Sequence, residues 1–254
     1  MATDTFLILG SQHSGRRALC ADVCKNALAE TKCAVFVSES EPPSKSDLAT
    51  LENVETITYA DASDISEKIP QEAQCVFVIA DARQNLADFI ENFKELADSG
   101  ALRLVRIWSV VDCAMRMREG ATMAPYFDAL SHFADCVVLG NRAGVPDTSV
   151  KELTDTFKKQ CKPHLVVFAD KFGRVKNPLE LTIDETRRIS MLFDEFDPVD
   201  ELELDDENLP EEPFSLERKP DPYLVKLQNS MRANPIENPA QYALKAREME
   251  NEKI

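Results

Sequence analysis

The sequence predicts an α/β fold: a mostly parallel sheet with helices on both faces. Three observations carry this prediction. Short runs that are apolar throughout, such as Cys75-Val-Phe-Val-Ile-Ala80, alternate with segments whose apolar residues recur at helical spacing. Strands lose the in–out alternation in this way when helices cover both sides of their sheet. The runs also stop at Gly10, Asp81, Asp112 and Gly140-Asn141. In parallel sheets ligands sit at the carboxyl ends of strands, so these stops mark one candidate site.

In chain order, Phe6-Leu-Ile-Leu9 reads as the first strand, and Arg16 to Glu30 as a helix with Leu19, Val23, Ala27 and Leu28 on one face. Ala34–Val37, Val54–Thr58 and Cys75–Ala80 are the next strands. Asn85 to Ser99 carries Leu86, Phe89, Ile90, Phe93 and Leu96 in helical register, with Gly100 just past its end. Strands at Leu104–Val111, Cys136–Leu139 and Leu165–Phe168 then alternate with helices at Tyr126–Ala134 and Thr148–Gln160. Residues 1–175 therefore form the α/β domain. A helical segment is expected over 176–197, from the capping pattern Thr182-Ile-Asp-Glu185 and the stripe Ile189, Leu192, Phe193, Phe196. Residues 198–254 read as an acidic, proline-interrupted tail with a terminal helix over Ala240–Glu252.

The chain has 254 residues and a formal net charge of −16, a surface that phosphate-rich nucleic acid and anionic membranes repel. No apolar run approaches the ~20 residues a membrane span needs. Seven cysteines, an odd number scattered through apolar segments, predict reduced core residues in a cytoplasmic protein.

Between the first strand and the first helix lies Gly10-Ser-Gln-His-Ser-Gly15-Arg16-Arg17. The spacing is that of the phosphate loop G-x-x-x-x-G-K-[ST], with arginine in place of both the lysine and the hydroxyl residue. Three later segments extend the likeness: Cys75-Val-Phe-Val-Ile-Ala-Asp-Ala-Arg-Gln-Asn-Leu-Ala-Asp88, Leu104-Val-Arg-Ile-Trp-Ser-Val-Val-Asp-Cys-Ala114, and Ser131-His-Phe-Ala-Asp-Cys-Val-Val-Leu-Gly-Asn-Arg-Ala-Gly144. In this order they resemble the CobW/HypB/UreG family of P-loop GTPases, nucleotide-dependent metal-delivery proteins, over roughly residues 5–170. The resemblance implies GTP or ATP as ligand. The nucleotide-binding residues would be Gly10, Ser11, Gln12, His13, Ser14, Gly15, Arg16, Arg17, Asp81, Asn141 and Arg142. Arg16 would meet phosphate, with Asn141 and Arg142 beside the base.

The departures set the expected function. Arg17 offers Mg²⁺ no oxygen, so magnesium is disfavoured. Gly144 stands where an aspartate would read guanine, and the family's Cys-x-Cys-Cys is absent. The sequence therefore predicts a degenerate, GTPase-fold binding or regulatory module, with no catalytic or metal-ligating residue assigned. Its alternatives are an active NTPase in which Asp81 positions the metal, and an interaction protein without nucleotide. Capping is the preferred role for Asp81 and Asp112. Cys20 and Cys24 with His13 lack a fourth ligand and read as core, and His132 and His164 as structural. An unidentified protein partner is assigned to the acidic segment Asp194–Glu217, which is alternatively a cover for the domain's own Arg16-Arg17.

Overall fold

The computed structural model describes residues 2–42, 51, 54–194 and 219–242. Seven strands form one sheet: β1 (Thr3–Gly10), β2 (Cys33–Ser38), β3 (Glu55–Tyr59), β4 (Cys75–Ile79), β5 (Leu102–Asp112), β6 (Cys136–Gly140) and β7 (Leu165–Phe168). Their order is β3-β2-β4-β1-β5-β6-β7, and every neighbouring pair is parallel. The connections supply α1 (Arg16–Asn26), α2 (Asp64–Lys68), α3 (Leu86–Asp98), α4 (Cys113–Glu119), α5 (Ala124–Phe133) and α6 (Asp147–Lys159).

Because strand side chains alternate, each apolar run feeds two cores. Phe6, Ile8, Val35, Phe77 and Trp108 face α1, where Leu19, Cys20, Val23 and Cys24 cover them. Leu7, Leu9, Phe36, Val78 and Ile107 face the other way, against Phe89, Ile90 and Phe93 of α3 and Leu130 and Phe133 of α5. Phe6, Phe77 and Trp108 touch one another at centroid distances of 5.2–5.5 Å. The helix entries are set by side chains. Asn85 Oδ1 accepts from Ala87 N at 2.9 Å and Asp88 N at 3.4 Å, and Asp112 Oδ1 accepts from Met115 N at 2.8 Å.

Three expectations need correction. The first helix ends at Asn26 rather than Glu30, where Leu28 N turns back to Val23 O at 3.0 Å. Residues 182–194, expected to be helical, run as an irregular strap after a 3₁₀ turn at Pro178–Leu181. Local bonds lose there to a buried carboxylate. Asp135, fully buried, accepts from Ile107 N, Arg187 N and Arg188 N and pairs with Arg188, which holds the strap beside the start of β6. Finally, part of the tail enters the fold. Ile236 is buried among the α3-side core, Arg232 pairs with Asp88 and Glu91, and Tyr223 packs 5.8 Å from Phe133. Residues 195–218, and the expected terminal helix beyond Tyr242, lie outside the described residues.

Candidate functional site

After β1 the chain crosses to α1 on one face; after β4 it crosses to α3 on the other. A crevice opens at the carboxyl end of the sheet where the two directions part. The predicted strand ends do converge there. Asn141 Nδ2 donates to Asp112 Oδ2 at 2.8 Å and to His13 O at 2.9 Å, tying the loops after β1, β5 and β6 together. Gly10, with φ 142°, lets the chain turn close beneath β5. A Cβ there would stand 2.6 Å from Val110 O, so no larger residue fits.

The Gly10–Arg17 loop is curled inward. Ser14 N donates to Ser11 O at 3.3 Å, the residues His13 and Gly15 have φ of 60° and 99°, and the hydroxyls of Ser11 and Ser14 are buried without a hydrogen-bond partner. The first bond of α1 runs from Leu19 N to Gly15 O at 3.0 Å. The amides of Arg16, Arg17 and Ala18 thus have no helical acceptor, and the helix dipole points the same way. Such an N-terminus attracts an anion. Beside it is a cavity of about 370 Å³ lined by Ser14, Gly15, Ala18, Gly140, Asn141 and the hairpin 169–173. That volume lies at the small end of the usual ~300–1,000 Å³ for ligand sites.

The two arginines are placed differently from expectation. Arg16 is buried, 5% exposed, and its guanidinium donates to Glu41 Oε2 at 2.8 Å and to Ala80 O. Glu41 Oε1 in turn accepts from Ala82 N at 2.5 Å. Arg17 donates to the carbonyls of Glu41 and Pro42. Glu41, just past the end of β2, is the residue that sequence reading missed. Its signal was an acidic side chain just past a strand end that the convergence argument left out.

Asp81 caps its turn, as preferred: Oδ1 accepts from Arg83 N at 2.8 Å, and Oδ2 from the hydroxyls of Ser38 and Ser40 at 2.9 and 2.7 Å. Arg142 donates to Ala169 O at 3.0 Å with its guanidinium 5.2 Å over the Phe168 ring. Gln12 is half-buried and His13 exposed. Cys20 is fully buried, and burial pushes its thiol up to about 12, which fits the core reading. Among the described residues no cluster of His, Cys, Asp or Glu is arranged to hold a metal ion, and no helix is long and apolar enough to cross a membrane.

The residues fit a phosphorylated ligand in part. Open amides, a curled loop with unpartnered buried hydroxyls, and an adjoining cavity suit it; the neutralised Arg16 and the hydroxyl-free position 17 do not supply the usual lysine and metal ligand.

Strand order, loop and crevice together decide the architecture. The chain has the P-loop NTPase fold. Solved structures share this fold. The Zn(II)-bound triple mutant of the YjiA GTPase is 13% identical, with a TM-score of 0.50 over 72% of this chain and 62% of that one. HypB, the hydrogenase maturation factor of Archaeoglobus fulgidus, is likewise 13% identical, with a TM-score of 0.48 over 66% and 81%. FtsY of Thermotoga maritima is 14% identical, with a TM-score of 0.48 over 76% and 69%. No protein-family model matches the sequence, and no curated protein matches it significantly.

Proposed function

We propose that this chain is a nucleotide-binding or phosphate-binding module of GTPase fold that works by binding rather than by hydrolysis. The observation that carries the reading is the open first turn of α1, facing a cavity at the carboxyl ends of β1, β5 and β6 while Arg16 is held by Glu41. Phosphoryl transfer is catalysed chiefly by charge stabilisation and metal positioning. Here the residue in the lysine position has its charge matched by a buried carboxylate, and position 17 offers Mg²⁺ no oxygen. The amides of Gln12 to Arg17 would cradle phosphate. Asn141 would border the base end, and Asp81 would hold the loop after β4 in place. The acidic segment 194–217 would serve a protein partner in the cytoplasm.

Titration of the purified protein with fluorescent GTP and ATP analogues, with and without Mg²⁺, tests this. Micromolar binding that is independent of Mg²⁺, with no turnover, is the expected result. Turnover that requires Mg²⁺ would establish the active-NTPase alternative, and no binding at millimolar nucleotide would leave a scaffold for protein contacts alone.

A further inference from the structure

Three thiols meet at the opposite end of the sheet from the crevice. Cys33 opens β2 and Cys75 opens β4, and the two are register partners on adjacent parallel strands. Adjacent strands run ~4.8 Å apart, inside the 4.4–6.8 Å Cα separation that disulfides span. Cys24, in the last turn of α1, belongs to the same core cluster as Cys75, and Cys33 packs against that cluster. Cys24 and Cys75 are buried, whereas Cys33 is partly exposed. Packing alone accounts for the two buried cysteines as small apolar residues. It does not account for a third, solvent-reachable sulfur placed against both.

We propose that Cys33 is a site of reversible oxidation by hydroperoxides, with Cys24 or Cys75 as the thiol that captures it as a disulfide. In the first step the Cys33 thiolate attacks the terminal oxygen of the hydroperoxide. The O–O bond breaks, water or an alcohol leaves, and the sulfur is oxidised to sulfenic acid. In the second step the neighbouring sulfur attacks Cys33 Sγ. The S–O bond breaks, water leaves with the attacking thiol's proton, and the S–S bond forms. The neighbouring Cys24 and Cys75 thiols hold the Cys33 pKa below the usual thiol range, while their own are raised. Exposure and thiolate character are the two features that select a redox-sensitive cysteine.

The test treats the reduced full-length chain with a small molar excess of hydrogen peroxide, then blocks free thiols and maps peptides by mass spectrometry. The exposed Cys161 serves as internal reference. Expected is a loss of about 2 Da in a linked species joining Cys33 to Cys24 or Cys75. It should form roughly tenfold faster than oxidation of Cys161, be reversed by dithiothreitol, and be absent from Cys33→Ser. Oxidation confined to Cys161, or a Cys33 that stays reduced or ends as sulfinic acid with no crosslink, overturns the proposal. The map of the unaltered chain decides the matter even if Cys33→Ser folds poorly.

Discussion

Replacing Glu41 with alanine probes the buried ion pair that holds Arg16. The change removes the carboxylate 2.8 Å from Arg16 and the acceptor of Ala82 N in one stroke. Both side chains of the pair are nearly dry, at 4% and 8% exposure, so water cannot take over the carboxylate's role. Deleting one member of a buried pair costs ~3–5 kcal/mol, because the other charge is left uncompensated. We expect Glu41→Ala to lose about that much. The double change Arg16→Met with Glu41→Leu should lie within ~1–2 kcal/mol of the unaltered chain, since a well-packed apolar pair removes both desolvation costs. Measured beside the single changes Arg16→Met and Glu41→Leu, that double change closes a double-mutant cycle and yields the coupling energy. Equilibrium urea unfolding reads it through Trp108, the only tryptophan, which is fully buried with its indole N–H on Leu181 O at 3.0 Å. A Glu41→Ala penalty under ~1 kcal/mol, or additive single changes, would refute the claim that the two form a buried, charge-matched unit. If the proposed function is right, the folded fraction of Glu41→Ala should also bind nucleotide more tightly, because a freed Arg16 adds a charge-assisted bond to phosphate.

Three further predictions follow from geometry. Gly173→Ala would place a Cβ 2.7 Å from Ala18 Cβ at a φ of 77°, pushing the cavity's hairpin off α1; a weakened nucleotide signal with a lower melting temperature is expected, and unchanged binding would remove the hairpin from the site. Asn85→Ala removes a cap and a bond from its Nδ2 to Ile236 O at 3.3 Å, and should cost ~1–2 kcal/mol in the same urea assay. His164 is buried edge-on against Phe157, and burial lowers its pKa from 6.5 to about 4. A folded pKa below the unfolded one means the contribution is fully present above pH ~6.5 and is lost as pH falls toward 4, up to roughly 3 kcal/mol. Stability measured from pH 7 to 4 should therefore fall less steeply in His164→Gln.

Much of the fold is legible because burial on both faces imposes continuous apolar strands and amphipathic helices; all seven strands lie within a few residues of the places the pattern marks. What the pattern missed depends on partners distant in sequence. The strap at 182–194 has the local signature of a helix, yet its amides are claimed by Asp135, about fifty residues earlier. Short helices such as α2 and α4 bury too few residues to leave a periodic mark. At the site, glycine spacing and the Asp and Asn at strand ends were readable, since turn geometry is local. The orientation of Arg16 was not, because it is set by Glu41 across the crevice rather than by its own loop.

The meeting of Ser190 with Asp221 has a topological result. Ser190 Oγ donates to Asp221 Oδ2 at 2.5 Å, and the same carboxylate meets His132 Nε2 at 2.8 Å on α5. Entry to and exit from the span 195–218 are thereby pinned to one spot, whatever course the span itself takes. A protease nick inside it would divide the polypeptide without dividing the folded body. The second piece would stay seated through Ile236 and the Arg232 ion pairs, much as a stitched seam holds after one thread is cut.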